Sequence, residues 1–273
     1  MSINAEFEEF LMERQVVETE ISAQTIISCI DLTLLDKQAT AEQIQQLQLK
    51  GEQFNVAALC IYPQHLAWLS EKNSCKWATV LNFPSGEEPA AMVMSQLEDL
   101  LSEYPIDEID YVFPYSLYLN GYREPALERC RQALALCKYH RILFKVIIET
   151  GAFRSPAILY TLAKELIDLG CDFLKTSTGK IEAGATPLSA YTLLKAIKES
   201  GKPVGFKASG GIRKPEDAFL YAEMASQMLG SQTLGFNLSE PLQPQAKQAP
   251  SQRLSPSFFR IGASSLLDEL VRL

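Results

Sequence analysis

Short runs of aliphatic, β-branched and aromatic residues recur along the chain, and longer amphipathic segments lie between them. Two of these runs, VAALCIY and ILFKVII, are largely apolar at successive positions, which is typical of parallel strands buried on both faces. Eight strands are predicted, over residues 28–32, 56–62, 77–83, 108–113, 142–150, 172–176, 204–208 and 257–261, the last with the weakest pattern.

The segments between the strands begin with residues that start helices. Thr40 and Gln43 form a capping-box pattern, and Ser155-Pro156 and Thr186-Pro187 each place a capping residue before a proline. Strict alternation of strands and helices over about 250 residues predicts an α/β fold, the (β/α)8 TIM barrel, with an open doubly wound sheet as the alternative. No GxGxxG motif follows the first strand, which counts against a dinucleotide-binding sheet.

The chain is predicted to form a single domain, residues 1–273, because no linker separates the strands from one another. Residues 1–24 are predicted to form an extra N-terminal helix, with Phe7, Phe10 and Leu11 loosely on one face. The Pro-, Gln- and Ser-rich stretch 239–255 is predicted to be a long loop before the eighth strand.

Composition and charge narrow the classes of function. The 25 Lys and Arg against 33 Asp and Glu give a net charge of −8, which argues against nucleic acid or an anionic membrane surface as partner. Two histidines, in a chain without a CxxC pair, almost exclude a His-rich metal site. Six cysteines, mostly in apolar runs, indicate buried thiols in a reducing compartment. Without a signal-like or membrane-spanning segment, we expect a cytoplasmic protein.

Five polar residues interrupt the predicted strands where a barrel places its active site. They are Asp31, Asp110, Lys145, Lys175 and Lys207 on strands one, four, five, six and seven. A lysine among apolar strand residues is costly because burial disfavours the ammonium form. If Lys175 and Lys207 both point inward, each lowers the pKa of the other, and a neutral amine can form a Schiff base with a carbonyl substrate. The alternative is that each lysine is an ion-pair partner of Asp110, Asp31 or Glu149.

Asp110 has two compatible interpretations. It follows Asp107, Glu108 and Ile109, which we place outward or in the strand ladder, and an inward carboxylate beside a lysine could relay protons. It could equally be a counter-ion for Lys145 or Lys175. Cys60, on strand two, is interpreted as a packed thiol near the site and not as a nucleophile.

Glycines and small hydroxyl residues follow the last three strands, at TSTGK, SGGIR and GASS. Glycines allow close approach of the backbone to an anion, so three such segments in consecutive loops predict a phosphate site. Residues 141–213 carry eleven Lys and Arg against six Asp and Glu, a local excess that suits an anionic ligand despite the acidic total.

These residues carry a resemblance to a known family. Asp110 in DEIDYVFPY, Lys145 in FKVIIETG, Lys175 in DFLKTSTGK and Lys207 in VGFKASGGIR, with the closing RIGASSLL, resemble the 2-deoxyribose-5-phosphate aldolases. The similarity runs in order from about residue 30 to residue 267. One departure is Ala208-Ser209, where many members have Pro-Ala.

The resemblance implies a metal-independent class I aldolase, a lyase of deoxyribonucleotide catabolism on a TIM barrel. Such an enzyme cleaves 2-deoxy-D-ribose 5-phosphate to D-glyceraldehyde 3-phosphate and acetaldehyde. By motif, Lys175 is the Schiff-base lysine, Lys207 lowers its pKa and takes part in proton transfer, and Asp110 donates and accepts protons. The residues expected to bind the phosphosugar are Asp31, Thr33, Cys60, Lys145, Thr176, Gly179, Lys180, Gly210, Gly211, Arg213, Gly262, Ser264 and Ser265.

Two other functions stay open at this point. The same scaffold and phosphate loops could serve another phosphosugar lyase or isomerase, or a phosphosugar-binding barrel without turnover. A homodimer is expected only by analogy.

Overall fold

Eight parallel strands close into a barrel in the computed structural model, which describes residues 2–14, 21–71, 75–230 and 254–273. Each strand pairs with its neighbours in chain order, and the last pairs with the first. The strands are β1 (Ile30–Leu34), β2 (Ala58–Ile61), β3 (Lys76–Leu81), β4 (Glu108–Val112), β5 (Leu143–Ile147), β6 (Phe173–Lys175), β7 (Gly205–Ser209) and β8 (Phe259–Ala263). The predicted TIM barrel is confirmed.

Helices follow the strands and form the outer layer of the barrel. Their bounds are α1 (Ile3–Arg14), α2 (Ala23–Ser28), α3 (Ala41–Phe54), α4 (Ala90–Glu103), α5 (Tyr115–Leu119), α6 (Arg123–Tyr139), α7 (Pro156–Leu169), α8 (Pro187–Ser200), α9 (Pro215–Leu229) and α10 (Leu266–Leu270), with 3-10 turns at Pro63–Trp68 and Thr150–Ala152. The three predicted capping residues act as expected: Thr40, Ser155 and Thr186 each accept a backbone N–H of the first turn.

The strand boundaries differ from the prediction by a few residues, with local causes. The predicted first strand begins at residue 28, but Ser28 ends α2, where its hydroxyl donates to the carbonyl of Thr25, 2.8 Å away. The predicted fifth strand extends to residue 150, whereas β5 ends at Ile147 because Glu149 adopts a left-handed backbone, with φ 61° and ψ 62°. Apolar composition continues past both boundaries, so the pattern alone does not mark them.

The predicted N-terminal helix is present as α1, whose apolar face packs on α8. The rings of Phe7 and Phe10 lie 5.4 and 5.2 Å from the ring of Tyr191. The predicted loop at 239–255 lies almost entirely outside the described residues. Of the helices that the structure describes, none is long and apolar enough to span a bilayer.

The core has two layers. Outward-facing strand residues such as Ile109, Val146 and Leu174 are fully buried against the helices. Alternate residues on the same strands point into the barrel, where charged side chains replace the usual branched aliphatics over several positions. All six cysteines are buried and none forms a disulfide, in agreement with the expected buried thiols.

Candidate active site

Strand register places the charged interior residues beside one another in pairs. Lys175 on β6 is the register partner of Lys207 on β7, and Asp110 on β4 is the partner of Lys145 on β5. Asp31 enters the same space from β1. Because side chains alternate across a strand, residues at matching register on neighbouring strands point to the same side of the sheet.

Asp110 is the centre of this cluster. Its Oδ2 atom lies 2.7 Å from the Nζ atoms of both Lys175 and Lys207, and its Oδ1 atom lies 2.8 Å from Nζ of Lys145. The thiol of Cys60 points to the same Oδ2 atom at a longer distance of 3.9 Å. All five side chains are buried, so a single carboxylate receives the three lysines that the sequence placed inward.

Asp31 and Glu108 extend the network beneath Asp110. Asp31 Oδ2 lies 2.5 Å from Lys207 Nζ and 3.3 Å from Lys145 Nζ. Glu108 Oε2 lies 2.5 Å from Lys145 Nζ, and Arg260 on β8 binds Asp31 at 2.5 Å and Glu108 at 2.9 Å. The ion-pair alternative is therefore realised for Lys145, whose three contacts are all carboxylates.

Glu108 and Arg260 are site residues that the sequence analysis missed. The placement of Glu108 outward is wrong: it lies two residues before Asp110 on β4, so both side chains point into the barrel. Arg260 could have been found by the same period of two from Gly262. The prediction placed the eighth strand two residues early and did not identify Arg260 as a residue of the barrel interior.

The charge balance of the network singles out Lys175. Lys145, Lys207 and Arg260 match the carboxylates Asp31, Glu108 and Asp110 in number, and Lys175 is the fourth basic group. A neutral Lys175 amine leaves these directly paired groups electrically balanced. Burial of an uncompensated charge is costly, so Lys175 is the group that the network favours in the neutral form.

The pKa directions agree with this balance. Burial lowers the pKa of Lys175, Asp110 opposes the change, and the neighbouring Lys207 adds to it, so the net shift is downward. Burial also acts on Lys145 and Lys207, but there Asp110 and Asp31 outweigh it and raise both pKa values. The pKa of Lys207 is therefore raised although Lys175 lies close to it, because two carboxylates contact Lys207.

The pKa values of the two central carboxylates, Asp31 and Asp110, are lowered. Burial alone would raise the pKa of Asp110, but Lys145, Lys175 and Lys207 hold it well below its usual range. Asp31 behaves in the same way with Lys145, Lys207 and Arg260 as the cations. Both groups are therefore ionised at neutral pH. Burial raises the pKa of the Cys60 thiol, which keeps it protonated and unreactive.

A cavity of about 290 Å³ opens above Lys175, at the carboxyl ends of the strands. Of the three inward lysines, Lys175 alone borders it. Nine residues of the predicted site line this cavity: Thr33, Lys175, Gly179, Lys180, Gly210, Gly211, Arg213, Gly262 and Ser264. Gly179, Gly210 and Gly211 have positive φ, a conformation that suits glycine.

The remaining predicted residues lie around the cavity and not on its wall. Asp31, Cys60, Asp110, Lys145 and Lys207 form the network beneath it. Thr176 is buried and donates its hydroxyl to the carbonyl of Ser209, 2.9 Å away. Ser265 is an exposed residue directly before α10 and does not border the cavity.

Thr178 and Ser209 also line the cavity. Both lie in the segments predicted to form the phosphate site, TSTGK and SGGIR, but neither was among the individual residues expected to bind the phosphosugar. Ser209 stands at the departure from the resembled family. Its hydroxyl donates to the carbonyl of Ser177 at 2.6 Å, which joins the loops after β6 and β7. Thr178 contacts the buried Glu149. A hydroxyl residue beside a glycine is the pattern by which the sequence placed both residues in those segments.

Comparisons with known proteins agree with this site. The sequence profile of the DeoC/LacD family of aldolases matches residues 25–236. A deoxyribose-phosphate aldolase of Agrobacterium fabrum is 35% identical over 258 residues, covering 92% of this chain and 91% of that protein.

Solved structures extend the similarity to three dimensions. The tetrameric deoxyribose phosphate aldolase of Aeropyrum pernix superposes with a TM-score of 0.72 at 25% identity, covering 92% of this chain and 91% of that one. An aldolase named QR15 shares the fold, with a TM-score of 0.72 at 22% identity over 90% of this chain and 95% of its own. The extent of the profile match and the identity to the curated relative show that this chain is an aldolase of the DeoC/LacD family.

Proposed function

We propose that this aldolase reversibly cleaves 2-deoxy-D-ribose 5-phosphate to D-glyceraldehyde 3-phosphate and acetaldehyde through a Schiff base on Lys175. The observation that carries the proposal is the position of Lys175. It is the inward lysine that reaches the cavity, its pKa is lowered, and Asp110 is 2.7 Å from its amine. The similarity to the Agrobacterium fabrum deoxyribose-phosphate aldolase supports the choice of substrate.

The first step is attack of the neutral Lys175 amine on the aldehyde carbon of the open-chain sugar. A lowered pKa increases the fraction of free amine, which is the nucleophilic form. The adduct is a carbinolamine that must lose water to become an iminium. Loss of water needs proton transfer to the departing hydroxyl.

Asp110 and Lys207 are positioned for that proton transfer. The Oδ2 atom of Asp110 contacts both Lys175 and Lys207, so a proton can pass between the two nitrogens through one carboxylate. Asp110 is ionised at rest and accepts a proton from the attacking amine. Lys207, whose pKa is raised, remains an ammonium group that can supply a proton.

Cleavage then breaks the bond between carbons 2 and 3 of the sugar. The electron pair of that bond moves into the iminium to give an enamine, and the hydroxyl on carbon 3 loses its proton as glyceraldehyde 3-phosphate forms. Protonation of the enamine at carbon 2 and hydrolysis release acetaldehyde and the free amine. The iminium is the electron sink, so the lysine provides the activation for carbon–carbon cleavage.

The glycine loops are proposed to bind the phosphate end. Gly179, Gly210, Gly211 and Gly262 lie on the cavity wall together with Lys180 and Arg213. Small residues allow backbone N–H groups to approach an anion, and the two cations complement its charge. Thr33 and Ser264 provide hydroxyl groups on the same wall.

Borohydride trapping tests the proposal directly. Protein incubated with 2-deoxyribose 5-phosphate and reduced with borohydride is expected to carry one covalent adduct, which peptide mass mapping places on Lys175. Lys202→Met, which removes an exposed surface lysine, is a matched control that keeps the adduct. A folded protein with no adduct, or with the adduct on Lys145 or Lys207, would contradict the mechanism. Rates with other aldose and ketose phosphates test the substrate assignment.

Three further features complete the proposal. We infer a cytoplasmic enzyme whose partner is the phosphosugar, without nucleic acid or membrane as a partner and without a cofactor. A homodimer is proposed as the assembly, and light scattering of the purified protein measures its mass. A monomer or a tetramer in that measurement would replace the dimer.

A further inference from the structure

Glu149 is a buried carboxylate that the proposed reaction does not use. It follows β5, is fully buried, and has a left-handed backbone at a position where glycine would be easier to accommodate. Such backbone strain is retained where the surrounding structure enforces it. Glu149 is not on the wall of the cavity, so direct contact with the substrate does not explain it.

The contacts of Glu149 are concentrated on one residue of the cavity wall. Its Oε2 atom accepts the hydroxyl of Thr178 at 2.5 Å, and both carboxylate oxygens lie 3.3–3.4 Å from the backbone N–H of Thr178. In the part of the chain that the structure describes, no ion pair to Glu149 is formed. Burial of this carboxylate is costly and raises its pKa, and its hydrogen bonds to Thr178, followed by the charge of Lys175, offset part of that cost.

Thr178 transmits this contact to the next residues of the loop. Its Oγ1 atom accepts the backbone N–H of Lys180 at 3.1 Å, which directs the hydroxyl hydrogen of Thr178 toward Glu149. Thr178, Gly179 and Lys180 all border the cavity. One carboxylate therefore fixes the conformation of a three-residue segment of the wall.

The charge of Glu149 excludes an attractive role toward phosphate. An anion behind the wall repels a phosphate group, so its benefit must come from geometry. A carboxylate offers two acceptors for the two donors of Thr178, whereas glutamine offers one acceptor and one donor. The need for two acceptors explains why a glutamate stands here.

We propose that Glu149 is a positioning residue that, through Thr178, holds the Thr178–Lys180 segment in the conformation that binds the phosphate group. The inference rests on the proposed function, because it assigns the phosphate end of the sugar to this part of the cavity. It separates phosphate recognition from the chemistry at Lys175. Loss of the contact lowers the preference of the enzyme for a phosphorylated substrate.

The test compares 2-deoxyribose 5-phosphate with unphosphorylated 2-deoxyribose. In Glu149→Gln, the ratio of kcat/KM between the two sugars is expected to fall about tenfold, the effect of losing one hydrogen bond to a charged group. The lower ratio is expected to arise from a higher KM for the phosphorylated sugar. Thr178→Val is expected to reproduce the loss, and Thr178→Ser, which keeps the hydroxyl, to restore most of the ratio.

Asp172→Asn is the matched control. Asp172 is a partly buried carboxylate that accepts the backbone N–H of Phe144 at 2.7 Å, just before β6 at the opposite end of the barrel. It resembles Glu149 in chemistry but not in location, and the variant is expected to keep the wild-type ratio. An equal loss on both sugars in Glu149→Gln, or a ratio that also falls in Asp172→Asn, would overturn the inference.

Calorimetric titration with inorganic phosphate separates this inference from the proposed function. Wild-type protein that does not cleave 2-deoxyribose 5-phosphate contradicts the proposed function, but its phosphate affinity can still be compared with that of the variants. Glu149→Gln and Thr178→Val are expected to bind inorganic phosphate about tenfold more weakly than wild type. Unchanged affinity in both variants contradicts the positioning role. If Glu149→Gln does not fold, the Thr178→Val and Thr178→Ser pair gives the same decision.

Discussion

Replacing Lys207 by methionine removes a cation that, together with burial, lowers the pKa of Lys175. The Nζ atoms of the two lysines each lie 2.7 Å from the same oxygen of Asp110, so they are at most twice that distance apart. At a separation of about 5 Å and an effective dielectric constant of about 20, two positive charges repel by about 3 kcal/mol. That energy corresponds to about two pKa units.

The sign of the expected change follows from the nucleophile. Lys175 reacts as the free amine, so its reactivity falls as pH decreases through its pKa. Lys207→Met raises this pKa and moves the acid limb of the rate profile to higher pH by about two units. The variant is expected to fold because both carboxylates retain other ion pairs. Asp31 still pairs with Arg260 and Lys145, and Asp110 still pairs with Lys145 and Lys175.

The assay is the rate of borohydride-dependent labelling of Lys175 with acetaldehyde, measured across pH. It reports Schiff-base formation without requiring turnover. Lys207→Arg retains the charge and is expected to keep the limb close to the wild-type position. A folded Lys207→Met protein with an unshifted limb would refute the reasoning, as would Lys207→Arg shifting it as far as Lys207→Met does.

The remaining predictions concern stability and metal. Glu108→Gln weakens its pairing with Lys145 and Arg260 and is expected to cost about 3 kcal/mol in urea unfolding, whereas the exposed Glu128→Gln changes little. In Gly205→Ala, the added Cβ would lie 2.4–2.7 Å from ring atoms of Phe173, and overpacking is expected to cost about 1–3 kcal/mol in the same measurement. The pKa values of Asp31 and Asp110 are lowered in the folded state, so these carboxylates stabilise the protein fully above about pH 4. This stabilisation is lost as pH falls below that value. The Tm of Asp31→Asn is therefore expected to drop less steeply with decreasing pH than the Tm of wild type. Activity is expected to survive chelation because the iminium is the electron sink, and a loss restored by zinc would contradict this.

Much of the fold could be predicted because its signals are local. The apolar runs, the capping residues Thr40, Ser155 and Thr186, and their alternation predicted eight strands, and the structure has eight that close into a barrel. Strand ends were less predictable. Ser28 lies in a helix and Glu149 in a left-handed turn, although the sequence around both continues to look like a strand.

The candidate site was predicted unevenly for a physical reason. Lys175, Lys207 and Asp110 stood out because a charged side chain within an apolar run is costly, and this cost is visible in the sequence. Glu108 and Arg260 lie near strand starts, where a charged residue is ordinarily exposed, so their burial has no such local signal. Thr178 lies in a segment that the sequence predicted to form the phosphate site, but its contact with Glu149 depends on the fold.

By itself, the sequence determined the alternating barrel, the lysines and carboxylate of its interior, and the glycine loops, since each depends on residue type and on spacing along the chain. The tertiary structure decided how many carboxylates contact each inward lysine and which of these lysines borders the cavity. Lys145 is surrounded by three carboxylates, Lys207 by two, and Lys175 contacts one and borders the cavity. That difference arises from strands far apart in sequence, because the number of close carboxylates determines whether an amine stays charged and only folding brings them together.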